Sequence, residues 1–154
     1  VFTKTYTITL AQMQAIEATS HTFDLWTLSE HEAIMWCWME NTGAAFSGGG
    51  VGGVYVEVGR SGDTDGLYVQ RELTDAGKIE DDNANHGADL GAYAEMGDAG
   101  GPNDSTTYYG DEEDLVAVVT STSANMSGLT AGGPIYIHLL VVRVDTTQTI
   151  AAAP

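Results

Sequence analysis

The residues equipped to act on a substrate or hold an ion are few and scattered. The four histidines are His21, His31, His86 and His138. None is spaced four from another or set beside a second cysteine, so zinc-ligand spacing is missing. His138 falls in mid-strand and reads as a buried or interface histidine. Cys37 is the only cysteine and lies in Met35-Trp36-Cys37-Trp38-Met39. It has no internal disulfide partner and reads as a small buried hydrophobe. A catalytic thiol would need a basic or polar neighbourhood, which its near sequence does not offer. Asp63-Thr64-Asp65-Gly66 has part of the pattern of a calcium loop, which makes Asp63 and Asp65 the metal candidates. A third oxygen ligand before the glycine and a later acid are both missing at the required spacing. Asp81-Asp82 and Asp111–Asp114 are acidic clusters of the kind expected by chance among 22 acids. No aromatic platform is tied to a carboxylate pair that could hydrolyse a glycoside. Gly48–Gly53 is neither followed by a helix nor flanked by lysine, so it is no phosphate loop. G-x-S-x-G is absent. The expectation is a protein that is not an enzyme and uses no cofactor.

Charge narrows the partners. Five Lys and Arg stand against 22 Asp and Glu, a net charge of −17. Phosphate backbones and anionic membranes both call for basic side chains, so neither nucleic acid nor membrane is an expected partner. Such acidity suits solubility, high salt or a basic docking surface. The longest apolar runs, Ala33–Met39 and Ile135–Val142, are strand-sized rather than membrane-spanning. The start of the chain lacks the basic region and apolar core of a signal peptide, so synthesis in a cytoplasm without export is expected. The Asn103 and Asn125 sequons carry no weight without secretion. With 154 residues, of which 43% are hydrophobic, the chain suits one globular domain.

Strands must position whatever this chain presents. Val1–Thr9 alternates Phe2, Lys4, Tyr6 and Ile8 with threonines, and reads as a strand or docking arm over 1–9. Thr9 can cap a short helix running to about Thr19. Ser20–Leu28 alternates again, with Phe23 and Leu25 on one side and Asp24 and Trp26 on the other. Ser29-Glu30-His31-Glu32 reads as a polar turn. Ala33–Met39 is apolar on both faces, with Ile34, Trp36 and Trp38 together and Ala33, Met35, Cys37 and Met39 opposite. A strand of that kind needs cover on both sides, and a neighbouring subunit is one possible cover. Ala44–Gly66 supplies a glycine-rich crossing, the strand Val54–Val58 and the turn Ser61–Gly66. Leu67–Val69 begins another strand, and Glu72–Lys78 a helical turn. Ile79–Asp104 is long, polar and irregular. Strands resume at Ser105–Tyr109, Leu115–Ser121 and Ile135–Val144. The last strand sets Ile135, Ile137, Leu139 and Val141 against Tyr136, His138, Leu140, Val142 and Val144. Residues 146–154 lose the pattern and read as a flexible or interface-bound tail. The expected fold is therefore all-β, a jelly-roll-like β-sandwich over 10–145 with one short N-terminal helix.

The order YTITL, AQMQAIEATS, HTFDLWTL, AIMWCWMEN, TGAAFSGGGVGGVYVEVG, SGDTDGLYVQRELTDAG and LVAVVTSTSANMSGLTAGGPIYIHLLVVRV resembles a group of tailed-phage virion proteins. These are β-sandwich capsid decoration (head auxiliary, or cement) proteins. The likeness spans about residues 6 to 144 and is most specific at Ala45–Gly49 and Gly59–Gly66. The chain departs from it in the acidic 80–104 insertion and in SEHE after Leu28, which bears on outer loops more than on the fold. The resemblance implies a structural protein of the virion, made in the host cytoplasm and seated on the outside of the head. There it would tie major capsid protein subunits together, often as a homotrimer. Interface candidates are Phe2 and Tyr6 in the first strand, Ile34, Trp36 and Trp38 in the second apolar strand, and Tyr136, His138 and Leu140 in the last. A tail- or fibre-associated protein, or a carbohydrate-binding module using Tyr93, Tyr108 and Tyr109, is the rival expectation.

Overall fold

The structure is a computed structural model that describes residues 1–29, 32–73, 77–79, 108–109 and 114–143. It is an all-β sandwich of two antiparallel sheets. Strands β1 (Phe2–Ile8), β9 (Ile135–Arg143), β3 (Glu32–Asn41) and β6 (Gly77–Ile79) lie in that order in the first sheet, where β7 (Tyr108–Tyr109) also pairs with β3. The second sheet runs β2 (Ser20–Thr27), β8 (Asp114–Ser121), β4 (Val54–Arg60), β5 (Asp63–Glu72). The path is one long hairpin. β1 pairs β9, β2 pairs β8, β3 pairs β6 and β7, and β4 pairs β5. Winding it up brings β9 against β3 and β8 against β4.

Alternation builds the core between the sheets. Ile135, Ile137, Leu139 and Val141 are fully buried on β9, facing Val54, Val56 and Val58 of β4 and Leu115, Ala117 and Val119 of β8. The short helix α1 (Leu10–Gln14) opens on a capping box in which Thr9 and Gln12 each satisfy the other's backbone N–H. It stops well before Thr19. The carbonyls of Ile16, Ala18 and Thr19 accept instead from the amides of Ser127, Met126 and Ser121. Met13 and Met126, the latter in a single 3-10 turn (Met126–Gly128), plug the core.

Bulges correct several expected faces, because one extra residue reverses all the alternation after it. The β3–β9 register slips between Ile34 and Trp36. Ile34 therefore joins Cys37 and Met39 in the core instead of sharing a face with Trp38. A slip between Asp24 and Trp26 likewise brings Trp26 to the core side with Phe23. Glu32, expected in a turn, begins β3 and is 1% exposed. The turn expected over Ser61–Gly66 is only Ser61-Gly62, and Asp63 to Gly66 belong to β5. Of the helical turn expected over Glu72–Lys78, Glu72 instead ends β5 and Gly77 and Lys78 lie in β6, while 74–76 lie outside the described residues. The loop expected over 79–104 lies outside the described residues except for Ile79, as does the tail 146–154.

The two ends of the sandwich are built differently. At one end the chain passes between sheets four times: β1 to β2, β3 to β4, β5 to β6 and β8 to β9. These crossings lock together by backbone. Ser47 bridges Ala131, and the amides of Thr130 and Ala131 both donate to the Ser47 carbonyl. Gly49 has φ +54°, and a Cβ there would lie 2.5 Å from the Gly128 Cα. Only glycine meets both the conformation and the approach. Asn41, wholly buried, donates to the Ala44 carbonyl and accepts from the Gly43 amide.

Candidate interaction surface

The register of the first sheet defines its outer face. Opposite partners on neighbouring strands share a face. Thr3 lies beside Leu140, Thr5 beside His138 and Thr7 beside Tyr136. On the other side of β9, Leu140 pairs with Trp36, His138 with Trp38 and Tyr136 with Glu40. Two strands, β3 and β9, thus bring Trp38, Tyr136, His138 and Leu140 into one patch, with Trp36 in register beside it. The imidazole stacks on Trp38, with centroids 4.8 Å apart and planes at 14°, and Tyr136 lies beyond it at 6.3 Å. His138 Nδ1 is 2.9 Å from Thr5 Oγ1, while Nε2 has only Glu40 Oε1, at 3.9 Å. The Thr5 hydroxyl and the Trp38 ring hold the imidazole in place, while Nε2 is buried without a hydrogen bond, so the patch mixes aromatic, apolar and polar groups.

Phe2 and Tyr6 do not belong to that patch. They pair with Val141 and Ile137, whose side chains are core, and both pack partly buried against it. Burial pushes the Tyr6 phenol above its ordinary pKa. Ile34 is core for the reason already given. Of the eight interface candidates, then, four lie together on the outer face and three turn inward. Trp36 is placed by its register alone.

A second cluster, which the sequence did not disclose, closes the opposite end of the sandwich. Glu32 Oε1 accepts from Arg143 Nη2 at 2.6 Å, and Oε2 accepts from Trp26 Nε1 at 3.2 Å and the Ser29 amide at 3.3 Å. Burial pushes this carboxyl up. Hydrogen bonds from Arg143, Ser29 and Trp26, with the Arg143 charge, more than reverse that and hold its pKa below the ordinary value. Lys4 Nζ sits 2.9 Å from the centroid of the Trp26 ring, and Arg143 lies 5.9 Å from that of Phe2. Two of the five basic residues are spent here. The available signal was a charge at each end of an apolar alternation: Glu32 two before Ile34, and Arg143 two after Val141.

The calcium candidates sit in β5 beside the hairpin, Asp63 half-buried and Asp65 exposed. Between them Thr64 donates to Glu57 Oε1 at 2.6 Å. Among the described residues no three His, Cys, Asp or Glu side chains gather as a metal site. A cleft of about 500 Å³ opens at the β2 bulge between Asp24, Leu25, Trp26, Thr27, Asp114 and Leu115, and Thr27 donates to Asp114 across it. Cys37 is buried, and burial pushes its thiol up to about 12. Among the described residues no helix is long and apolar enough to cross a membrane. No protein-family model matches the chain, and no curated protein or solved structure matches it either.

Proposed function

We propose that this chain is a structural protein of a tailed-phage virion, a decoration protein that binds the outside of the head and ties major capsid protein subunits together. The observation that carries the reading is the outer face of the first sheet. Trp38, Tyr136, His138 and Leu140 form a shaped patch on two strands whose other face is already committed to the core. Aromatic residues grouped in that way suit burial against another protein. The strand order, 1-9-3-6 facing 2-8-4-5, supports it in being compatible with a jelly roll, an architecture used by viral capsid domains and lectins alike. A clamp across a lattice joint stabilises the shell by mass action, because it binds only the assembled form. A homotrimer, the assembly the resemblance implies, would multiply weak contacts at each joint.

Antibody against the purified protein, applied to particles from the source culture, tests this reading. Regular labelling of intact heads is expected. Label confined to tails or fibres, or particles without label, overturns it. A Trp38→Ala/His138→Ala variant should fold normally and fail to load onto heads stripped of the protein.

A further inference from the structure

We propose that two copies of this chain pair edge to edge through β1, antiparallel about Thr5, so that their first sheets run on as one. Among the described residues β1 has β9 as its only partner. Alternate residues of β1 therefore direct N–H and C=O groups away from its own sheet, where a further strand satisfies them.

Natural edges are usually blunted, by bulges among other devices. β2, the edge of the second sheet on the same side, carries one at Leu25, and β5, that sheet's other edge, pairs with β4 through two register slips. β1 differs. Its seven residues pair with β9 without a slip from Phe2 to Ile8, and it contains no proline. Its one charge, Lys4, is turned inward onto Trp26. Thr3, Thr5 and Thr7 are exposed along it.

Charge and register argue for a second copy as the occupant. On a chain of net charge −17, no acid precedes Glu17. β1 itself thus carries no carboxylate to meet another across such a pairing. Antiparallel pairing about Thr5 is self-complementary. It sets Phe2 opposite Ile8 and Lys4 opposite Tyr6 on the inner face, and Thr3 opposite Thr7 on the outer, with no like charges across. The contact is two-fold, so it joins molecules or their trimers in pairs and closes no ring. It does not depend on the capsid reading.

Sedimentation of the full chain at about 0.05 M and about 1 M salt tests the pairing, since salt screens the repulsion between the two copies. The mass should double with concentration, at lower concentration in high salt. Thr3→Lys/Thr7→Lys lowers the net negative charge yet sets lysine opposite lysine, and should weaken pairing by roughly tenfold. Thr3→Lys/Thr7→Glu sets lysine opposite glutamate and should pair at least as tightly as the parent. Both sites are exposed, so thermal melts of both variants should match the parent. The proposal is overturned if the parent's mass never doubles, or if the two variants pair equally well. It is also overturned if pairing requires removal of residues 146–154, which would make the chain's own tail the occupant of the edge.

Discussion

The two ends of this sandwich are closed by different physics. At the crossing end, three of the connections interlock through main-chain hydrogen bonds and glycine contacts, and hardly a charged side chain takes part. At the opposite end a buried carboxylate, a guanidinium, an ammonium and two aromatic rings do the closing. The first arrangement depends on the shape of the backbone and is indifferent to pH. The second depends on ionisation, and so responds to pH.

The largest expected effect is at the crossing end. Gly49→Val meets the Gly128 backbone and requires a left-handed φ, so it should cost roughly 4 kcal/mol or more and prevent folding in a marginal host. Gly50→Ala is the control. It shares a positive φ but has nothing within 4 Å, and should cost about 1 kcal/mol in urea denaturation. Equal losses at the two positions would mean that conformation, not the close approach of the loops, is what matters there.

Next comes Arg143→Ala, which leaves the 1%-exposed Glu32 without its charged partner. About 2 kcal/mol is expected rather than the larger loss of a wholly buried pair, because the guanidinium is 66% exposed and partly screened by water. Acid gives a smaller effect of known sign. Glu32 has a folded pKa below its unfolded one, so its stabilisation is full above the ordinary glutamate value of about 4.3. It is lost as pH falls through the folded value. Urea midpoints of the parent and Glu32→Gln should therefore converge as pH falls below the ordinary glutamate value and through the lower folded one. A gap that persists in acid would mean that the carboxylate's charge contributes nothing at this end.

The smallest effect belongs to Cys37, in β3 between the two ends. With its thiol pushed up to about 12 and buried, it should resist a thiol reagent at pH 8 until the protein unfolds. In Arg143→Ala its labelling should rise only in proportion to the lost stability. A greater rise would show that the charged end opens on its own.

The architecture was legible wherever alternation ran unbroken. β9 and β4 show their buried and outer faces residue by residue, and Thr9-x-x-Gln12 announces the helix start. Bulges were not legible, since the extra residue at Met35 or Leu25 carries no signature in composition, yet it reverses everything on one side of it. Ile34 and Trp26 were therefore assigned to the wrong face. The helix fell short of Thr19 because amides more than a hundred residues away, at the end of β8 and in the 3-10 turn, claimed the carbonyls of Ile16, Ala18 and Thr19, a competition that no local propensity reports. For the surface patch, the strand pattern put Tyr136, His138 and Leu140 on one face. That Trp38 stacks on His138 depends on a register only the paired strands define.

The solitary thiol has a practical side. Since Cys37 is hidden, the exterior is chemically blank to maleimides, and any cysteine placed there becomes a unique handle. Gly62, at the tip of the β4–β5 hairpin with nothing within 4 Å, is a natural position for one. A fluorophore attached through Gly62→Cys would stand clear of both the aromatic patch and β1, and so report on the molecule's whereabouts without touching either of the contact surfaces proposed for it.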